Sequence, residues 1–152
     1  MTKDRRSRPR FTPGLALHAL TPLYDRVVDL LGFGHGFMAR VAQVITLQDE
    51  EMFLDVGCGT GSLLAELAPH HLHSTLIGID ADRTMLAQAR EKLDVRGRLH
   101  LVQAFAQALP FPDATFDAVG STLIFHHLPT EVKRHAIAEI YRVLKPRGRF
   151  LL

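Results

Sequence analysis

The chain has 152 residues, of which 47 % are hydrophobic and 22 % charged, a size and composition typical of one soluble globular domain. With a formal net charge of only +2, the chain as a whole is not a highly charged binder of nucleic acid. No apolar run approaches the roughly 18 residues of a membrane span. The one cysteine, Cys58, cannot form an internal disulfide, which fits a reducing compartment. We therefore expect a cytoplasmic protein.

The amino terminus is strongly basic, and Asp4 is the one acid among its first ten residues. Its basic residues are Lys3, Arg5, Arg6, Arg8 and Arg10. Residues 1–14 are predicted to form a flexible basic tail. An Arg-rich, acid-poor start is also a weak signal for a transit peptide or a membrane-surface anchor, which leaves those two alternatives open.

Two helices are predicted between this tail and the first strand, so that residues 15–50 form an N-terminal helical segment. Thr21 and Pro22 are typical of a helix start, and apolar residues recur at helical spacing until Gly32. A glycine-rich turn follows, and a second helix is predicted over residues 37–47.

From residue 51 onward, strand and helix patterns alternate along the sequence. The predicted strands cover residues 52–56, 75–79, 98–102, 116–121 and 149–152, and the predicted helices cover residues 61–67, 82–93 and 129–144. Residues 145–148 are predicted to form a turn. This alternation is typical of a parallel sheet with right-handed crossovers, so residues 51–152 are predicted to form one α/β domain.

A glycine-rich loop follows the first predicted strand, whose last residue but one is the acid Asp55. A turn with so few side chains lets a ligand reach the backbone, and the helix behind it would direct free N–H groups at that ligand. The glycines are Gly57, Gly59 and Gly61, whereas a dinucleotide fingerprint needs glycine at position 62, where Ser62 stands. The spacing favours an adenosine-type cofactor, with S-adenosylmethionine as the leading candidate, over NAD.

A second acid, Asp80, ends the next predicted strand, 23 residues after Gly57. Its carboxylate has two acceptor oxygens and can bind both hydroxyls of a ribose. An NADP enzyme would tend to avoid an acid at this place. The alternative is that Asp80 only caps the helix that follows.

With these residues in view, the chain resembles the class I S-adenosylmethionine-dependent methyltransferases over residues 20–152, and most of all the group that includes ubiquinone and menaquinone methyltransferases. The matching phrases, in order, are Leu54–Gly61, Gly78–Asp80, Ala108–Asp113 with Phe116–Asp117, His126–Leu128 and Arg142–Pro146. The resemblance implies a Rossmann-like three-layer sandwich with a mainly parallel sheet. It also implies methyl transfer from S-adenosylmethionine to a small-molecule acceptor.

The resemblance places the cofactor along the loops that follow the strands. Asp55 would help to hold the ammonium group, directly or through water, and Asp80 would bind the ribose. Ala81 and Met85 would pack against one face of the adenine, and the carbonyl of Ser121 would face the ammonium near the methyl group. The implied cofactor-binding residues are Asp55, Gly57, Cys58, Gly59, Gly61, Asp80, Ala81, Met85, Phe105, Ala106 and Ser121. No catalytic side chain is assigned.

Two positions depart from the family pattern. Phe105 lies five residues before Pro110, where the family often has an acid that binds the adenine amino group. A phenyl ring can stack on adenine or meet its edge, and the N–H of Ala106 can still reach a ring nitrogen; alternatively, Phe105 belongs to the core. Arg147 replaces a glycine of a Pro-Gly-Gly turn, and a positive φ there would cost about 1 kcal/mol.

The family fold has seven strands, whereas this sequence ends within the fifth predicted strand. We therefore expect a fold that lacks the last two strands and exposes a sheet edge at which a second copy could pair to form a homodimer. A fragment, a shortened chain and a natural short form all stay open. The main alternative function is a non-catalytic S-adenosylmethionine-binding remnant that associates through this edge.

Histidines suggest a metal site, but no cysteine or paired carboxylate stands near them at ligand spacing, so no metal is expected. The group at a predicted helix end, His70, His71 and His73, is better explained as solvated side chains near the helix dipole. His126 and His127 follow the fourth strand and are predicted to belong to the loop structure or line the pocket, with a general base as the alternative. Tyr24 resembles a family tyrosine that covers the cofactor.

Overall fold

A computed structural model of the chain describes residues 35–95 and 97–152, with the side chain of His127 left out. The helices are α1 His35–Val44, α2 Ser62–Leu67, α3 Arg83–Lys92 and α4 Thr130–Val143, and the strands are β1 Met52–Val56, β2 Thr75–Asp80, β3 Leu99–Gln103, β4 Phe116–Gly120 and β5 Leu144–Leu151. The predicted basic tail, the first predicted helix and Tyr24 lie outside the described residues.

All four strand pairings in the described sheet are parallel, and the strand order is β3-β2-β1-β4-β5. The register pairs Val56 with Ile79 and Asp80 with Gln103. The loops after β1, β2, β3 and β4 therefore leave the sheet at the same edge. The order reverses at β1, which places a topological switch point, the usual ligand crevice of open α/β sheets, beside the glycine-rich loop.

Apolar side chains on the two faces of the sheet form two buried clusters, which makes the fold a three-layer sandwich. Phe53 packs among residues of α1, α2 and α3, whereas its neighbour Leu54 packs with residues of α4. This alternation follows the period of two along a strand. The predicted Rossmann-like sandwich with a mainly parallel sheet is confirmed. None of the described helices has the length and apolar character that crossing a membrane requires.

Two local predictions differ from the structure. Residues 145–148, predicted as a turn, lie within β5, where the register against β4 shifts between Phe116 and Ala118. The turn signal of Pro146 and Gly148 therefore marks a bulge in an edge strand. Helix α1, described over His35–Val44, includes His35 and Gly36 of the predicted glycine-rich turn.

Arg147 has a φ of +68°, the conformation that was expected to penalise a residue other than glycine. Replacing Arg147 by glycine should therefore raise the free energy of unfolding by about 1 kcal/mol, because glycine adopts this region without a steric penalty. Urea unfolding of the two chains checks this. Arg134→Gly, in the middle of α4, is the matched control and should lower stability instead. An unchanged or lowered midpoint for Arg147→Gly would contradict the expectation.

Candidate functional site

The backbone amides of the loop after β1 are largely used to hold the loop itself. The N–H groups of Gly57 and Cys58 both donate to the carbonyl of Ile79, at 2.8 and 2.9 Å. The N–H of Gly59 donates to Oδ2 of Asp80 at 2.9 Å. These three N–H groups are therefore engaged within the protein and are not available to a ligand. What the loop offers at Gly59 is bare backbone surface.

The three alternating glycines all have positive φ, but only one of them faces open space. A Cβ on Gly57, whose φ is +78°, would lie 2.5 Å from Cδ1 of Ile124, and one on Gly61 would lie 2.6 Å from Cδ1 of Leu93. A Cβ on Gly59, at φ +54°, would meet nothing within 4 Å. Gly57 and Gly61 thus let neighbouring side chains pack against the loop, and Gly59 marks the surface that a ligand can approach.

Asp80 joins the loop after β1 to the turn after β2. Its Oδ1 accepts the N–H of Asp82 at 2.8 Å, while Oδ2 accepts that of Gly59. The cap of α3 is Asp82, which accepts the N–H of Thr84, so the alternative that Asp80 is merely a helix cap is wrong. Burial raises the pKa of Asp80, and the hydrogen bonds from Asp82 and Gly59 oppose that rise. Each oxygen keeps acceptor capacity for a ribose hydroxyl.

Asp55 is a buried acid that no described residue hydrogen-bonds through its side chain. It lies on β1, is 2 % exposed, and shares its side of the sheet with Phe53 because strand residues alternate. Burial, reinforced by the charge of Asp80, raises the pKa of Asp55 to about 7. A carboxyl in this state is well suited to a cationic ligand, since a nearby positive charge stabilises its ionised form.

Cys58 contributes its backbone to the loop, and its side chain lies in the core. The thiol packs with Leu64 and Leu101 in the cluster beneath α2 and α3. Burial, together with the charges of Asp55 and Asp80, raises the pKa of the thiol far above its usual range. A neutral, buried thiol is a poor nucleophile, so Cys58 serves as a small apolar residue here.

Ser121 ties the end of β4 to the end of β1. Its hydroxyl donates to the carbonyl of Val56 at 2.8 Å, and its N–H donates to the carbonyl of Leu151 at 3.0 Å. The residue is buried. The two central strands are thereby fastened next to the glycine-rich loop, a role of the hydroxyl that the sequence did not predict.

Three of the residues expected around adenine lie outside the two hydrophobic clusters. Ala81, Met85 and Phe105 are each half-buried and belong to neither described hydrophobic cluster, so the alternative that Phe105 is a core residue is not supported. The N–H of Ala108 donates to the carbonyl of Phe105 at 3.0 Å and closes a short turn. Within that turn, the side chain of Ala106 is buried and its N–H meets no acceptor in the described residues.

An ion pair on α4 that sequence reasoning missed holds the segment between β3 and β4. Arg142 donates to both oxygens of Glu139 and to the carbonyls of Leu109 and Phe111. It also binds Asp113, at 2.8 Å. The E-x-x-R spacing signals such a pair on one helix face, but no local pattern shows its contacts about thirty residues away.

The described histidines are spread over several separate elements and loops of the fold. His126 is exposed in a short 3₁₀ turn, and His73 contributes its carbonyl to Arg98 and to the N–H of Glu50. Among the residues that the structure describes, no three His, Cys, Asp or Glu side chains form a cluster able to hold a metal ion.

Comparison with known proteins identifies the family to which this arrangement belongs. Residues 53–148 match the profile of a methyltransferase domain. The chain is 35 % identical over 136 residues to a demethylmenaquinone methyltransferase of Thermus thermophilus, covering 88 % of this chain and 61 % of the relative. It is 37 % identical over 147 residues to a ubiquinone/menaquinone biosynthesis C-methyltransferase of Escherichia coli O1:K1, covering 89 % and 55 %. The chain thus spans little more than half of these relatives.

Solved structures agree with the fold. The YcgJ protein of Bacillus subtilis superposes with a TM-score of 0.66 at 30 % identity, over 77 % of this chain and 50 % of that one. An S-adenosylmethionine-dependent methyltransferase from Methanococcus maripaludis superposes with a TM-score of 0.76 at 19 % identity, over 95 % and 66 %, which supports the fold alone. On its profile match and its curated relatives, the chain belongs to the class I S-adenosylmethionine-dependent methyltransferase family.

Proposed function

We propose that this chain binds S-adenosylmethionine at the carboxyl edge of its sheet and transfers the methyl group to a small-molecule acceptor. The observation that carries the proposal is the open backbone at Gly59, which lies with a buried acid, Asp55, and a half-buried acid, Asp80, at the same end of the sheet. The names of the curated relatives support a small organic acceptor. The single, buried Cys58 supports placing the protein in a reducing compartment such as the cytoplasm.

The residues present fit the cofactor. Asp55 offers a buried carboxyl to the ammonium group, and Asp80, fixed by two backbone N–H groups, offers acceptor oxygens to the ribose. Phe105 offers a ring to the adenine and Ala106 an N–H to one of its ring nitrogens. Ala81, which directly follows β2, and Met85, on α3, would pack against one face of the base. The cofactor supplies an activated methyl group on a sulfonium centre.

Positioning is then the main contribution of the protein to the reaction. In methyl transfer from a sulfonium, charge is dispersed as the reaction proceeds, so the acceptor atom needs alignment with the methyl group more than it needs strong charge stabilisation. Correct alignment can lower a barrier by about 7–11 kcal/mol. The carbonyl of Ser121, on a residue fastened to Val56 through its hydroxyl, would fix the ammonium end of the cofactor at the β1–β4 junction.

Thermal unfolding with and without ligand tests the binding site. S-Adenosylmethionine or S-adenosylhomocysteine at 100 times its dissociation constant should stabilise the chain by about 2.7 kcal/mol, whereas NADH should not. No shift with either sulfur compound, or a shift with NADH alone, would contradict the proposal. Production of S-adenosylhomocysteine in the presence of candidate acceptors then tests turnover.

A second candidate is a non-catalytic cofactor-binding protein that associates through β5. The observation that favours it is the position of β5 at one end of the described sheet, where Phe150 and Leu152 are exposed. An unpaired strand edge can recruit a strand from another chain, including a second copy of this one. Cofactor binding without methyl transfer to any acceptor would favour this candidate.

A further inference from the structure

We propose that the Glu139–Arg142 pair of α4 positions the adenine loop, residues 105–113, and thereby sets the preference of the site for an adenine base. The inference rests on the proposed function and adds to it a determinant of specificity that does not itself touch the ligand. The inference is based on the hydrogen bonds between the pair and the loop, and on the scarcity of hydrogen bonds within the loop itself.

The adenine loop is poorly equipped to hold its own shape. Pro110 and Pro112 have no N–H to donate. The loop contains no helix or strand. Among the described residues, its one internal backbone hydrogen bond runs from the N–H of Ala108 to the carbonyl of Phe105. Its conformation between β3 and β4 is therefore determined by what packs against it.

The pair on α4 supplies that constraint by binding both backbone polar groups of Leu109, its N–H and its carbonyl. The N–H of Leu109 donates to Oε2 of Glu139 at 2.7 Å, and the carbonyl of Leu109 accepts from Nη2 of Arg142 at 3.1 Å. Nη1 of Arg142 reaches the carbonyl of Phe111 and the carboxylate of Asp113, both at 2.8 Å. One guanidinium thus fixes three points of the loop while Nε and Nη2 hold Glu139.

Leu109 transmits this constraint to the adenine-facing turn. Its side chain is buried, and it directly follows Ala108, the residue that closes the turn onto Phe105. Within this turn lie the ring of Phe105 and the N–H of Ala106 that finds no described acceptor. Fixing Leu109 at both its N–H and its carbonyl therefore limits how far that N–H can move from a ring nitrogen.

The arrangement depends on a planar fork of donors. Arginine presents five N–H donors in a fixed plane, whereas the ammonium of lysine is a compact charge with three donors. Lysine at position 142 would keep the positive charge near Glu139 but could not reach the loop carbonyls and the carboxylate together. Charge and geometry can therefore be separated by comparing Arg142→Lys with Arg142→Gln.

The test compares two ligands that differ in the base. S-Adenosylhomocysteine presents an acceptor at N1 of its purine, whereas S-inosylhomocysteine carries a hydrogen there and an oxygen at position 6. An N–H donor held against N1 should favour the adenine compound by about tenfold or more, because the inosine compound would leave that donor facing another donor. Dissociation constants of both ligands are measured by calorimetry on the full chain.

Arg142→Gln and Arg142→Lys should each bring the ratio of the two dissociation constants down to about threefold or less, because the turn is then free to shift. The matched control is Arg134→Gln, which removes another arginine that pairs with a glutamate three residues away on α4, at an exposed site without a contact to the loop. It should leave the ratio unchanged. Glu139→Gln, which keeps the size of the side chain, provides an independent variant should Arg142→Gln not fold.

A merely structural role predicts a different outcome. If the variants weaken both ligands by the same factor, or if the unaltered chain binds them equally, the inference is overturned. If the unaltered chain binds neither ligand, the proposed function fails first and the inference with it. A lowered ratio in the variants of the pair, with an unchanged ratio in Arg134→Gln, supports it.

Discussion

Asp55→Asn is expected to stabilise the ligand-free chain at pH 8 while it weakens the binding of S-adenosylmethionine. Burial raises the pKa of Asp55 to about 7, so at pH 8 the native state contains a buried carboxylate that no described residue hydrogen-bonds. Asparagine has nearly the same shape and no charge. The gain in the free energy of unfolding should be roughly 2–4 kcal/mol, measured by urea unfolding.

The gain should depend on pH in a defined direction. The folded pKa of Asp55, about 7, exceeds the ordinary value of 3.8, so the native state holds a proton that the unfolded state has lost between these values. The contribution of Asp55 to stability is therefore fully present below about pH 4, and it is lost as pH rises towards 7. Asp55→Asn and the unaltered chain should be similarly stable at low pH and diverge as pH increases.

Asp117 offers a matched control on the neighbouring strand. Burial raises the pKa of its carboxyl, but the hydrogen bond and charge of Lys145, with the N–H of Met52, outweigh burial and hold it below the usual range. Asp117→Asn removes the charge that pairs with Lys145 and should therefore lower the free energy of unfolding at pH 8. A loss of stability in Asp55→Asn as well would contradict the account of Asp55.

Asp55→Asn should also weaken the binding of the cofactor. A hydrogen bond between charged groups contributes about 1.5–3 kcal/mol, so loss of the Asp55 charge should raise the dissociation constant of S-adenosylmethionine by about 10- to 100-fold. Between pH 5.5 and 7, affinity should increase with pH in the unaltered chain, because ionised Asp55 is the form that pairs with an ammonium. In Asp55→Asn it should stay flat. Calorimetry over this range measures both.

Gly59→Ala should abolish most cofactor binding at a small cost in stability. The added methyl group meets no protein atom within 4 Å, so its effect on folding comes from the positive φ and amounts to about 1–2 kcal/mol. The methyl group would occupy the surface that the ligand approaches. Overpacking there should raise the dissociation constant of S-adenosylhomocysteine by about 5- to 150-fold, measured by calorimetry.

Gly97→Ala separates the two effects. Gly97 has a φ of +61° and likewise faces open space, but it precedes β3 and so lies towards the opposite edge of the sheet. It should lose about as much stability as Gly59→Ala and bind the ligand normally. Normal binding by Gly59→Ala would show that the ligand does not approach the loop at this glycine.

Much of the fold follows from local sequence signals, because α4 is amphipathic and the central strands are short apolar runs that are buried on both faces. Helix α4 and strands β1 and β2 lie within one residue of their predicted bounds. Local signals give the wrong secondary structure where contacts with distant parts of the chain determine it. The Pro146 to Gly148 segment has turn chemistry, yet pairing with β4 keeps it in a bulged strand.

The candidate site was predictable at the level of residue type and less so at the level of individual atoms. Alternating glycines predicted bare backbone, but not that Asp80 would take the N–H of Gly59. Cys58 was placed in the loop correctly, whereas its burial depends on how α2 and α3 pack over the sheet. The contacts of Arg142 join segments about thirty residues apart, and no periodicity encodes them.

The sheet consists of two halves, each continuous in sequence, which are joined by the pairing of β1 with β4. Residues 52–103 form one half and residues 116–151 the other, and they meet where Asp55 lies beside Gly120 and where Ser121 holds Val56. A ligand bound at this junction would contact both halves and resist their separation. Amide hydrogen exchange along β1 and β4 would then slow more than exchange in β3, which makes the cofactor a determinant of how cooperatively the domain unfolds.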